Sequence, residues 1–497
     1  MKRIYLIAVA AVSSLFILSA CNKNWLNPDV QGQASSSDST FNNPANAFKF
    51  VTGCYTQLLN WDVHSFGWIG LSSITSDDAD KGSSPGDLGS DKNLMDDLTY
   101  TATASSVSSV WGGYFRGVSY CAQALYYIPR FTLASGVAAQ YEGEVKFLRA
   151  YYYFTLVRAF GDIPLVDVVA NPFTEDGRAK LGTRVSRDSI YALIESDLKY
   201  AISVLPAKEQ LGASQAGRAN KGAAVGLLAK VSLYEKKWQQ ALDLTNQLIS
   251  GSVGSYALAP DYTTIWREVG ENSVESVFEV QSKSTTPYAA VQQYSQVQGI
   301  RGGNFNISVY TGWGFNTPTL DLDNAYEAGD VRKKSTIIHR DDTLFDGAIM
   351  KGIENDRYNY KAYPSNTQET YGGDPSYTNK NVRIIRMGEI YLINAEAANE
   401  LGTGTAVASL NAVRNRAGLG NTTASTQADI RNAIWKERRV ELAMENDRFF
   451  DLVRQGRAGT VLRAHGKNFV DGKNELFPIP QQEIDASNNA LKQNPGY

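Results

Sequence analysis

Glu437 and Glu441 stand four residues apart, a spacing that puts two carboxylates on one face of a helix. Two carboxyl groups flanking one bond are the equipment of a glycoside hydrolase. The same stretch argues against that use. Lys436, Arg438, Arg439, Arg448 and Arg454 crowd it, and nearby cations hold carboxylates ionised, which is wrong for a general acid. A structural ion-pair network tying the last helices together is the stronger reading, with Arg438 and Glu441, three apart, as one expected pair. Asp77, Asp78 and Asp80 form a second acidic group, before GSSPG at 82–86. Clustered oxygens suit calcium or sugar hydroxyls, but the spacing is not that of an EF-hand, and a solvated turn is the competing reading. The three His (64, 339 and 465) and three Cys (21, 54 and 121) are scattered, without a CxxC or a second His at ligand spacing. No metal or cofactor is assigned from them. With no HExxH and no phosphate-binding glycine loop, the chain reads as a binder rather than an enzyme.

The remaining chemistry is aromatic. The sequence holds 27 Tyr, 19 Phe and 8 Trp, and such rings serve either as core or as flat apolar plates at wet surfaces. A sugar ring has one apolar C–H face and a rim of hydroxyls, so its site needs a plate with short polar partners. Two windows supply both. The first is WDVHSFGW at 61–68, with Trp61 and Trp68. The second spans residues 288–315, with Tyr288, Tyr294, Arg301, Asn304, Tyr310 and Trp313. These residues, with Asp77 and Asp78, are the candidate ligand-binding set. A core role competes for every Trp among them. The net charge is −3 and no long basic run occurs, which excludes the electrostatic footprint of a nucleic-acid binder.

The N-terminus sets the compartment. Lys2 and Arg3 precede an uncharged apolar run at 4–18, then Leu18-Ser19-Ala20-Cys21. This is a signal peptide over 1–20, followed by a Cys placed for lipidation. Acyl chains on Cys21 would hold the chain on a membrane without a spanning helix. Residues 21–40 are Ser-rich and lack apolar periodicity, the composition of a tether. Extended, such a segment reaches on the order of 60 Å.

The elements that position the aromatic windows are helices. Val145, Leu148, Tyr152 and Leu156 recur at helical spacing, as do Ile190, Ile194, Leu198 and Ala201. Ala224, Leu227, Leu228 and Val231 precede Trp238, Ala241 and Leu248, and Ile390, Ile393 and Ala397 precede Ala406, Leu410 and Val413. Each couple matches a tetratricopeptide-type hairpin in part, with small residues where two backbones meet, and generic packed helices are the competing reading. A last helix is expected over 427–445. Residues 256–383 are Gly-, Asn- and Tyr-rich without long helical periodicity, apart from a possible strand at 274–281. A long insert on a rigid scaffold is where function is expected.

Several strings together resemble the SusD/RagB family: EVKFLRAYYYF (144–154) with FGDIPL (160–165), GRANKGAA (217–224), NVRIIRMGEIYLINAEA (381–397), LNAVRNRAGL (410–419), ERRVELAME (437–445), LFPIP (476–480) and QNPGY (493–497). The resemblance implies a mainly α, tetratricopeptide-like helical-hairpin scaffold with a long loop-rich insert and few short strands. It implies an N-terminal part over 41–255 and a C-terminal part over 256–497. The latter divides into a ligand region at 256–383, helices at 384–455 and an irregular tail, all in one globular unit. It further implies a lipoprotein on the outer face of the outer membrane. Such a protein binds nutrient glycan and delivers it to a SusC-like TonB-dependent barrel transporter. Peptide capture on the same scaffold, or a tetratricopeptide adaptor for protein partners, are the alternatives. Ligand residues of the family lie in variable loops, so none is carried over by position.

Overall fold

The computed structural model describes residues 41–167, 169, 174–284, 291, 293–370 and 377–497. The signal segment 1–20, Cys21, the tether and Tyr288 lie outside the described residues. Helices longer than ten residues are numbered α1 (Ala45–Thr56), α2 (Ser105–Tyr127), α3 (Ser135–Phe160), α4 (Arg187–Val204), α5 (Lys221–Tyr234), α6 (Trp238–Ile249), α7 (Met387–Glu400), α8 (Ala406–Arg416) and α9 (Gln427–Glu441). Each packs on a chain neighbour: α1 on α2, α2 on α3, α3 on α4, α4 on α5, α5 on α6, α6 on α7, α7 on α8 and α8 on α9, with α9 also against α7. The two hairpins expected from sequence are α5–α6 and α7–α8. Residues 250–386 separate them in the chain, yet α6 lies directly against α7, so the scaffold is continuous in space.

Local chemistry explains the helix limits. Asn220, Ser186 and Thr426 each accept a backbone N–H from the first turn of α5, α4 and α9, satisfying donors that a helix start leaves open. In α5 the small Gly222, Ala223, Ala224 and Gly226 allow close approach. A Cβ at Gly226 would stand 2.9 Å from Val277 and 3.3 Å from Ile385. Those residues belong to a short antiparallel ribbon, β4 (Ser276–Val280) with β8 (Val382–Arg386). Helix α9 stops at Glu441 rather than at 445, because Met444 and Asn446 adopt left-handed backbone (φ 64° and 68°), which breaks the helical run. Arg438 pairs with Glu389 and Asp451, not with Glu441. Long-range packing overrides the local i,i+3 option.

Residues 256–383 are more ordered than their composition suggests. They hold β5 (Phe315–Pro318), β6 (Ile337–His339) and β7 (Arg357–Asn359), the last two paired antiparallel. β5 pairs with β1 (Ala79–Gly82) from the N-terminal part. β2 (Ile163–Pro164) and β3 (Arg184–Val185) make a separate pair. The insert also has its own aromatic core, with Tyr262, Trp266, Tyr310, Tyr358, Tyr360 and Tyr363 buried around Ile300, Ile338 and Met350. Tyrosines suit this position because each hydroxyl can reach a partner at the core edge. Tyr262 Oη donates to the carbonyl of Glu441 at 2.8 Å and Tyr358 Oη to that of Arg301 at 3.1 Å. Much of the aromatic excess is therefore structural.

His64 gives the scaffold a pH dependence. It is sealed in the core, and burial lowers its pKa from 6.5 to about 3. The folded protein then refuses a proton that the unfolded chain accepts. The stability His64 permits is complete above pH 6.5 and is lost as pH falls from there toward 3, by about 1.4 kcal/mol per pH unit. Urea midpoints for wild type and His64→Phe, taken at pH 7, 6 and 5, isolate this slope from that of the carboxylates. The wild type should lose more stability than the variant at each step. Parallel curves would refute the assignment.

Candidate functional site

The strand pair β1–β5 organises the site. Its register sets Ala79 opposite Pro318, Asp80 opposite Thr317 and Gly82 opposite Phe315. Gly82 has φ +69° and touches the Gly314 carbonyl where a Cβ would sit, so no other residue fits that turn without strain. Just before β5, Gly312 N donates to Ile300 O (2.7 Å), Trp313 N to Gln296 O (2.7 Å) and Gly314 N to Gly299 O (3.0 Å). The backbone carrying Trp313 is thus bonded at three successive residues.

Two rings meet Trp313, and a third packs behind them. Trp61 lies 6.1 Å away (58° between planes), Phe66 lies 6.1 Å away (57°), and Phe66 contacts Phe315 at 4.6 Å. Trp61 opens a one-turn helix, Trp61–His64, whose cap Asn60 accepts Asp62 N–H at 3.0 Å. Trp61 and Trp313 are half-buried, while Phe66 and Phe315 are buried beneath them. The result is an aromatic platform with a rigid back and a partly open face.

Beside the platform is an open groove of about 450 Å³, lined by Asp87, Leu88, Arg301, Trp313 and Phe315 with Gly86 and Gly312. Leu88 is 52% exposed and adds an apolar rim. Arg301 is fixed from three sides. Its Nη1 donates to Ser83 Oγ at 2.5 Å and pairs with Asp87, and its Nε lies 2.9 Å from Glu354. Hydrogen bonds from Ser83 and Arg301 lower the Asp87 pKa, and Asp87 in turn raises that of Arg301. A fixed guanidinium, two carboxylates and an aromatic plate around a wet groove can hold a polyhydroxylated ring, stacking its apolar face and bonding its rim.

The structure brings Trp61, Trp313 and Arg301 together and disposes of the other candidates differently. Trp68 is 5% exposed, stacked on Phe450 at 5.4 Å and packed on Tyr114. It is a core residue. Tyr294 and Tyr310 are also buried. Asn304 is exposed on the preceding loop, its N–H bonded to Lys351 O at 2.8 Å, and is not among the groove-lining residues. Asp77 and Asp78 are neither a solvated turn nor open to ligand. Both are 1% exposed. Arg448 grips Asp77 through two 2.8 Å hydrogen bonds, and Arg439 bonds Asp78 at 2.7 Å. Although burial opposes ionisation, these cations hold the Asp77 pKa down to about 2. For Asp78 burial wins and the pKa is raised. Among the described residues no group of three His, Cys, Asp or Glu is disposed to hold a metal ion.

The Glu437–Glu441 pair is internal as well. Glu441 is fully buried, with Arg332 at 2.9 Å, Arg416 at 2.5 Å and Arg386 closer still. Glu437 lies 2.7 Å from Arg332 and 3.0 Å from Arg414. Elsewhere a hollow of about 40 Å³ lies between His64, Arg158, Lys230 and Asp447. It has space for about one water and none for a sugar. Asp87, Leu88 and Glu354 carry no signal in the sequence. Asp87 sits in an ordinary turn string, and Glu354 meets Arg301 only through tertiary folding.

Residues 274–497 match the model of the SusD family, and residues 32–233 match a second model described as starch-binding, associating with outer membrane. A SusD-like protein P2 of Formosa agariphila is 27% identical over 390 residues, covering 73% of this chain and 74% of its own. Among solved structures, a laminarin binding SusD-like protein is 29% identical with a TM-score of 0.79, over 92% of this chain and all of that one. Surface glycan-binding protein A from Bacteroides thetaiotaomicron, in complex with laminarihexaose, is 25% identical with a TM-score of 0.77, over 90% of this chain and 99% of that one.

Proposed function

The chain belongs to the SusD/RagB family, and from that premise we propose that it is a glycan receptor of the outer membrane, acting by binding and not by catalysis. The observation that carries this reading is the half-open Trp61–Trp313 platform beside the anchored Arg301. The glycan-binding proteins that share the fold support it. An oligo- or polysaccharide would lay one ring face on Trp313 and turn its hydroxyls toward Arg301, Asp87 and Glu354. In the same reading lipidated Cys21 anchors the chain on the outer side of the outer membrane. The tether lets the folded body stand over a SusC-like TonB-dependent transporter, to which the glycan is delivered.

Native electrophoresis through gels cast with different polysaccharides tests the receptor reading directly. Retardation by at least one uncharged polysaccharide is the expected result. Unretarded migration in every gel, with calorimetry showing no heat on oligosaccharide addition, would refute glycan binding.

A further inference from the structure

The charges around the groove carry an inference about which glycans it accepts. A second hollow, about 240 Å³, adjoins the first and is lined by Asp80, Thr317, Glu354, Asp356 and Arg357, among others. The two share the run of β5: Phe315 lines the first, Thr317 and Pro318 the second. They also share the 2.9 Å pair between Arg301 and Glu354. Along both hollows four carboxylates (Asp80, Asp87, Glu354 and Asp356) face two guanidinium groups (Arg301 and Arg357). The other nearby cations turn to partners away from Arg301. Lys81 Nζ turns inward to the carbonyls of Ser84 (2.7 Å) and Pro85 (3.1 Å). Arg340 pairs with Asp356 at 3.0 Å, and Arg357 Nε donates to Pro318 O at 2.8 Å.

We propose that Asp87 and Glu354 determine specificity by charge, so that the groove takes uncharged glycans and rejects those bearing sulfate or uronate. This rests on the glycan reading of the same groove. Arg301 would be the natural counter-ion for an anionic sugar, but Asp87 already takes its Nη1 and Glu354 its Nε, so an anionic group that reaches it meets two carboxylates first. An anionic group within a few ångströms of them meets like charge, an effect on the order of tenfold in affinity at low salt. An uncharged sugar loses nothing, because carboxylates accept hydrogen bonds from hydroxyls and Arg301 donates them.

Calorimetric titration tests this with uncharged glucohexaoses of β-1,3, β-1,4 and α-1,4 linkage, and with hexamers of alginate and carrageenan, at 20 and 300 mM NaCl. Wild type should bind the best uncharged hexamer at least tenfold more tightly than either anionic one. Asp87→Asn/Glu354→Gln should raise the anionic-to-uncharged affinity ratio at least tenfold at 20 mM and less at 300 mM. Asp87→Asn alone should move it part of the way, and circular dichroism checks that both variants are folded. Anionic hexamers binding wild type as tightly as uncharged ones, or a ratio unmoved in the double variant, would overturn the charge proposal. Trp313→Ala separates the two claims. If it abolishes binding while the ratio is unmoved in the carboxylate variants, the groove reading stands and the charge proposal falls. If it binds as wild type does, the groove reading falls and takes this one with it, as would silence from every hexamer.

Discussion

Trp313→Ala loses glycan binding by about 30-fold or more. Truncating an aromatic anchor at the centre of a site typically costs about 2 kcal/mol or more, and each 1.4 kcal/mol is tenfold in affinity. Trp313 is placed for such a role. Its backbone is bonded at residues 312, 313 and 314, so its indole is held in place before ligand arrives. It also lines the groove itself, whereas Trp61 only flanks it through the 6.1 Å contact. Trp61→Ala should therefore cost less, and Trp313→Phe should retain part of the affinity because a smaller plate remains. Because Trp313 is half-buried at the edge of the core rather than inside it, the alanine variant should stay folded by circular dichroism. Affinity measured by calorimetry against the best retarding glycan decides the matter, and wild-type affinity in Trp313→Ala would remove the platform from the mechanism.

Glu441→Gln destabilises the fold without touching the groove. This carboxylate is buried among Arg332, Arg386 and Arg416. Those three reach onward to Asp330, Glu275 and Glu445. Neutralising the centre leaves buried guanidinium groups short of a counter-charge, a loss typically of about 3–5 kcal/mol. The backbone carbonyl of Glu441 also accepts hydrogen bonds from Tyr262, Lys361 and Arg386. The network therefore joins the aromatic core of the insert to the end of α9, and its loss should loosen the insert first. Urea denaturation with far-ultraviolet and tryptophan signals should show a lower midpoint for the variant. An unchanged midpoint would mean that the ion pairs are energetically idle. The pH dependence has a definite sign. The three arginines hold the Glu441 pKa well below the usual 4.5. Its contribution is complete above pH 4.5 and is lost as pH falls below that value toward the folded pKa. Acid sensitivity below pH 4.5 should accordingly be weaker in Glu441→Gln.

Helical periodicity is a reliable guide where one face of a helix is apolar, as for Ile190, Ile194, Leu198 and Ala201 in α4. All of these are buried where the 3.6-residue period puts them. Composition served less well over 256–383. A core of tyrosines leaves no alternating or helical pattern, because each ring is placed by its own turn, and β5 finds its partner β1 more than two hundred residues earlier. The acidic run at 77–80 misled for a related reason. Nothing local to Asp77 and Asp78 announces that Arg439 and Arg448 arrive from the far end of the chain to bury them.

The candidate site divides in the same way. Residue type and spacing are enough to predict a helical scaffold with a polar, aromatic insert. They also pick out Trp61, Trp313 and Arg301, since stacking and hydroxyl recognition require those groups wherever they lie. Folding brings these three together, sends Trp68, Tyr294 and Tyr310 to the interior, and sets Asp87 and Glu354 against Arg301. A ring is plate or core according to what packs over its second face, and a carboxylate's influence depends on the cations within a few ångströms. Both are properties of contacts between distant segments, which spacing along the chain does not encode.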